Sequence, residues 1–143
     1  MNLIKKICTL LIIICVFAGC SNKKNRHTNF YTDSYGRKIE ISNSIKKQRI
    51  ISVAPSMTEL FFQLDDGQSL IARSDYCDYP PDAQKLPSVG TIIEPNIEYI
   101  LALQPTLVVA SDHFTKESVN KLEQFNIPVY IGKQGETLES FYD

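Results

Sequence analysis

The sequence predicts an α/β fold, a three-layer sandwich in which a mainly parallel sheet is covered by helices on both faces, preceded by a short β-hairpin. Apolar runs of strand length recur at RIISVA (49–54), SLIARS (69–74), TLVVAS (106–111) and PVYIG (128–132). Segments of helical period stand between them. Near-continuous apolar strands of this kind are buried on both faces, which is what parallel strands with helical crossovers require. Upstream, FYTDSYGRKIEI (30–41) reads as two short strands broken at Tyr35-Gly36, a hairpin signal.

The helices follow in order. PSMTELFFQL (55–64) places Ser56 and Glu59 at capping-box spacing. In EPNIEYILALQP (94–105), Ile97, Ile100 and Leu101 share one helical face, and Pro105 ends the run. TKESVNKLEQF (115–125) turns Val119, Leu122 and Phe125 inward. A further helix begins at about Thr137, in TLESFYD (137–143).

The first residues predict an address. Lys5 and Lys6 precede the apolar run ICTLLIIICVFAG (7–19), and Cys20 follows. That run falls short of the roughly 20 apolar residues of a membrane span and has the basic and apolar regions of a secretory signal. VFAGC resembles a lipobox, so residues 1–19 are expected to leave as a signal peptide with Cys20 as the lipidated first residue of the mature chain. Residues 20–29, with SNKKNRHTN (21–29), read as a flexible tether in which His27 is inert, and 30–143 as the folded lobe. The expected location is therefore outside the cytoplasm, lipid-anchored to a membrane and facing the periplasm or cell exterior.

Charge and cysteines exclude several functions. The whole chain carries a net −1, and loss of Lys5 and Lys6 makes the remainder more acidic. Nucleic acid is thereby a poor partner. Beyond the leader and Cys20, only Cys77 remains, an odd thiol that must be buried, free or paired elsewhere. None of the six glycines belongs to a phosphate-binding or dinucleotide pattern, and no GxSxG elbow occurs. Cys77 with His113 is a conceivable nucleophile and base, the basis of an alternative reading as a cysteine-dependent hydrolase or redox protein. Nothing in the spacing aligns them, and a structural cysteine is the simpler reading. His113 alone makes no zinc site, so no metal is expected.

In a parallel α/β sheet, ligands gather at the carboxyl ends of the strands. Those ends carry Pro55 and Ser56, the stretch SDYCDYPP (74–81), and Ser111 to Phe114. SDYCDYPP is too irregular for a strand and too rich in proline for a helix, so it is a loop rich in groups that contact ligands.

Three motifs in order, RIISVAPSMTEL, SDYCDYPPDAQKLPSVG and PNIEYILALQPTLVVAS, resemble the N-terminal lobe of the ABC-importer binding proteins for cobalamin and iron–siderophore complexes. The hairpin TDSYGRKIEI fits the same family, and the resemblance covers Thr32 to Asp143. It implies a lobe of a two-lobed, non-enzymatic receptor, with the ligand held in the cleft and the helix from about residue 137 leading to the second lobe. By the same resemblance, the chain is expected to be a truncated receptor without its second lobe. DYCDYPP is most like the cobalamin-binding branch, in which the tyrosine matching Tyr76 lies against the corrin ring. Ile92 and Ser111 stand where well-known cobalamin binders carry tryptophan, which keeps an iron–siderophore or haem receptor as the alternative.

The resemblance thus implies a corrinoid or iron chelate as ligand and no resident cofactor. Tyr76 is the expected ligand wall, with Pro55, Ser56, Asp75, Asp112, His113 and Phe114 nearby. Glu98, in PNIE, matches a surface glutamate that docks onto arginines of the ABC permease.

Overall fold

The computed structural model describes residues 28–42 and 48–133. The leader, Cys20, His27 and the helix expected from about residue 137 lie outside the described residues. So does most of the expected tether, but Thr28 and Asn29 already pair with Ser42 and Ile41 in the hairpin.

Strands β1 (Thr28–Thr32) and β2 (Lys38–Ser42) are antiparallel and form that hairpin. Its turn is organised by one carboxylate. Asp33 Oδ1 accepts from the backbone N–H of Tyr35 at 3.0 Å and of Arg37 at 2.9 Å, while Oδ2 accepts from Arg37 Nε at 2.8 Å. Gly36 takes the left-handed φ of +73° that closes the turn. Arg37 reaches further, donating to the carbonyl of Val129 at 2.9 Å and to Glu123 Oε1 at 2.7 Å.

The sheet contains β3 (Ile50–Ser52), β4 (Leu70–Arg73), β5 (Leu107–Ser111) and β6 (Val129–Gly132), all parallel, in the order β4-β3-β5-β6. Three helices connect or flank them: α1 (Pro55–Gln63), α2 (Ile97–Leu103) and α3 (Lys116–Gln124). Alternation along the strands divides the core into two layers. Ile51, Val108 and Ile131 pack with Ile100 of α2 and with Val119 and Leu122 of α3. Ile50, Leu107 and Val109 pack with Met57 of α1, and Ile41 of the hairpin joins them. Helices thus cover both faces of a parallel sheet, as the sequence predicted. Among the described residues β6 is an edge strand, and its outer side needs cover. The hairpin turn supplies some: the backbone N–H and hydroxyl of Ser34 both donate to the Ile131 carbonyl.

Local signals were not all read correctly. The capping box expected at Ser56 and Glu59 is absent, because Pro55 occupies the first turn and moves the N-cap to Ala54, where no side chain caps. Phe125, expected inward, is 61% exposed. Helix α3 ends before it, Asn126 turns left-handed at φ +59°, and Ile127 takes the core position instead. On the outer face of α3, a hydrogen bond from Lys121, one turn on, and its charge hold the Glu117 carboxyl below the usual carboxylate range. Among the described residues, no helix is long and apolar enough to cross a membrane.

Candidate functional site

The carboxyl ends of β4, β3 and β5 lie side by side, so the loops that follow them share one edge of the sheet. Backbone bonds hold the strand ends in line: Val53 N–H donates to Val109 O at 2.9 Å, and Ser74 N–H to Ser52 O at 3.0 Å. Across this edge the chain presents first residues 74–81, then Pro55 and Ser56 at the start of α1, then Asp112 and His113.

The 74–81 loop has an inward and an outward side. Cys77 is buried at 1% exposure, its thiol 3.2 Å from Ser74 Oγ and 3.7 Å from the Ser52 carbonyl. Beneath it, Thr58 Oγ1 donates to Ser52 Oγ at 2.8 Å, so a small buried polar cluster is satisfied internally. The thiol is free. Buried there, it has no access to a substrate, and His113 is engaged elsewhere, with Nδ1 3.2 Å from Asp112 Oδ1. The alternative of a thiol nucleophile therefore has no geometric support.

Tyr76 points the other way, at 65% exposure. Tyr79 is also outward at 62%. Pro80 follows it through a cis peptide bond, and Gln84 Nε2 donates to the Asp78 carbonyl at 2.8 Å, folding the proline segment back. Asp75 is exposed, with Oδ1 accepting from Ser88 Oγ.

Pro55 and Ser56 are both exposed at the head of α1. Asp112 and His113 are exposed after β5, and the Asp112 carbonyl accepts from Tyr35 Oη at 3.0 Å. The edge thus assembles Tyr76, Asp75, Pro55, Ser56, Asp112 and His113 on neighbouring loops. Phe114 does not join them. It is 1% exposed within the core layer that includes Val119. Thr115 caps α3, accepting from Ser118 N–H at 3.1 Å, which makes Phe114 the residue before the cap and Val119 its partner in a hydrophobic staple. The threonine-serine spacing in TKES is the sequence signal that could have placed this ring inside.

Two features were not anticipated, one bonded to the site and one outside it. Ser88 and Gly90, in the long connection from β4 to α2, bond directly to the 74–81 loop. A cavity of about 380 Å³ between the hairpin turn and α3 is lined by Tyr35, Arg37, Lys116, Val119 and Asn120. It excludes Tyr76, and the Arg37 guanidinium within it is committed to Asp33 and Glu123.

Glu98 is exposed in the first turn of α2. Asn96 caps that helix, accepting from Tyr99 N–H at 2.9 Å, so the Glu98 carboxylate is not needed as a cap. Among the described residues, no group of three or more histidine, cysteine or acidic side chains is arranged to hold a metal ion.

Comparison with known proteins gives this geometry a lineage. The vitamin B12-binding protein of Vibrio campbellii is 46% identical over 94 residues, covering 64% of this chain and 34% of that protein. The crystal structure of the periplasmic vitamin B12-binding protein BtuF of Vibrio cholerae superposes with a TM-score of 0.54 at 39% identity, over 59% of this chain and 33% of that one. The periplasmic haem-binding protein HutB of Vibrio cholerae matches with a TM-score of 0.55 at 29% identity, over 60% of this chain and 34% of that one. The chain spans about a third of the length of the relatives it matches. Residues 50–143 fit the family model described as periplasmic binding protein. The chain belongs to the periplasmic binding protein family.

Proposed function

We propose that this chain is the N-terminal lobe of a lipid-anchored solute receptor that captures a corrinoid without catalysis and hands it to an ABC permease. The observation that carries the reading is Tyr76, a large aromatic ring 65% exposed on the carboxyl edge of a parallel sheet. Elsewhere an outward tyrosine needs no explanation. Here its neighbours on both sides are hydrogen-bonded into the lobe, so the ring is offered from a fixed backbone. An aromatic face covers a broad, flat ligand at small entropic cost. Pro55 and Ser56 would continue the wall, with Asp112 and His113 as its polar end. The names of the relatives in Vibrio, vitamin B12-binding proteins, support a corrinoid.

Haem is the second reading, supported by the likeness to HutB at 29% identity. The two are separated by a binding screen. A two-lobed receptor is built by replacing the matched segment of the Vibrio campbellii protein with the corresponding segment of this chain. It is then titrated with cyanocobalamin, haem and a ferric siderophore. Tight binding of cyanocobalamin alone supports the proposal; preference for haem or the siderophore transfers the site to that ligand.

Two further parts of the reading have their own tests. Glu98 would dock on permease arginines, so Glu98→Lys in the two-lobed receptor should keep ligand affinity within about twofold yet impair uptake, because the reversed charge opposes the partner. Unimpaired uptake by a normally folded variant refutes that role. Cys20 would carry the lipid, so the expressed protein should partition into detergent and Cys20→Ala should not. Each buried methylene of an acyl chain contributes about 0.8 kcal/mol, and several chains together suffice for anchoring.

A further inference from the structure

Asp75 was expected from the sequence to touch the ligand. We infer instead that Asp75 is a positioning residue, whose carboxylate, clasped by Ser88, fixes the backbone that presents Tyr76. This rests on the reading of Tyr76 as the ligand wall and adds a device that the reading does not require.

The bonds form a closed ring. Asp75 N–H donates to the Gly90 carbonyl at 2.9 Å. Gly90 N–H donates to Ser88 Oγ at 3.1 Å, and the Ser88 hydroxyl donates its one proton to Asp75 Oδ1. Two chain segments are thus joined by both main chain and side chain. Gly90 suits the corner: its φ is +92°, and a Cβ there would stand 2.8 Å from the Glu94 carbonyl oxygen. The ring is itself anchored, since Val89 N–H donates to Arg73 O at 2.8 Å and Asn96 N–H to Val89 O at 2.8 Å.

Tyr76 lies between two such anchors. On its other side, Cys77 N–H donates to Ser74 O at 3.1 Å and its thiol is buried. From below, Arg73 Nη1 donates to the carbonyls of Ser74 at 2.8 Å and Asp75 at 3.2 Å. A loop ordered before the ligand arrives loses less freedom on binding, and the gain appears as affinity. A carboxylate with an oxygen held in this ring is placed to order the loop. A ligand contact would use its charge; a clasp uses only its acceptor.

That difference sets the test. Asp75→Asn keeps a carbonyl acceptor for Ser88, whereas Asp75→Ala and Ser88→Ala each remove the bond from opposite ends. In the full chain, isotope-labelled in detergent, the backbone order parameter at residue 76 should be near 0.85 in the parent and in Asp75→Asn. It should fall below roughly 0.6 in both alanine variants, with the urea midpoint little changed. In the two-lobed receptor, affinity for cyanocobalamin should drop about three- to tenfold in either alanine variant and stay near the parent in Asp75→Asn. The double alanine variant should be no worse than either single one. Unchanged order at residue 76 in the alanine variants overturns the inference, as does an Asp75→Asn variant as disordered as Asp75→Ala. Loss of the whole fold in both alanine variants overturns it too, because the bond would then support the lobe rather than one ring. If the parent fails to bind cyanocobalamin, the corrinoid reading falls while the order parameters still decide the role of Asp75.

Discussion

Phe114→Ala should destabilise the lobe by about 3–5 kcal/mol in urea unfolding, the loss typical of emptying a core site of an aromatic ring. The ring is 1% exposed and belongs to the layer formed by Val108, Ile131, Val119 and Leu122. It also anchors the entry to α3, so its removal loosens the cap as well as the core. The prediction separates two placements of one residue. A phenylalanine on the ligand edge would be largely exposed, and its truncation would cost under about 1 kcal/mol of stability while weakening the ligand. A small stability change in Phe114→Ala would therefore contradict the packing described above.

Arg37→Ala should cost about 3 kcal/mol by the same measurement. The Asp33 side chain is fully buried and the Arg37 side chain only partly exposed, at 0% and 27%. Removing the guanidinium leaves a buried carboxylate held only by two backbone N–H groups, and breaking one partner out of such a pair is costly. The bonds to Val129 and Glu123 disappear at the same time, leaving the Ser34 bonds to Ile131 to hold the hairpin turn to β6. Removing Asp33 as well, in Asp33→Asn with Arg37→Ala, should recover part of the loss, because no unpaired charge is then left inside. A single variant as stable as the parent would show that the hairpin is held by its apolar contacts and the Ser34 and Tyr35 bonds without help from Arg37.

How much of this was legible in the sequence depended on the range of the interaction. The four parallel strands announce themselves because burial on both faces leaves them apolar throughout, as in TLVVAS. The hairpin is legible because its turn is chemically local: Asp33, Gly36 and Arg37 lie within a few residues of one another. Helix ends were harder. The residues with left-handed backbone at or beside those ends are Asp65, Gln104 and Asn126, none of them glycine, so the usual stop signal is missing. The proline-rich 74–81 stretch reads as a loop, the family resemblance singles out Tyr76 within it, and the odd thiol left burial of Cys77 as one of three options. Ser88 and Gly90 carry no such signal. They reach the site through isolated bridges, Arg73 with Ser88 and Gly90 with Pro95, in a connection without hydrophobic period. Phe114 was misplaced because its position in the chain, just past a strand, carried more weight than the cap that follows it.

The central claim is that this edge holds a corrinoid against Tyr76. The most direct measurement is a calorimetric titration with cyanocobalamin of the two-lobed receptor carrying this lobe, in parent and Tyr76→Ala forms. Loss of one aromatic contact should weaken binding by about 1–2 kcal/mol, the scale of an aromatic contact in a desolvated site. Cys77→Ser, as a control, should lower the unfolding midpoint more than it lowers affinity, because that side chain faces the core. Parent binding with the predicted loss in Tyr76→Ala supports the account. Equal affinity in parent and Tyr76→Ala, with capture abolished in Cys77→Ser, would contradict it.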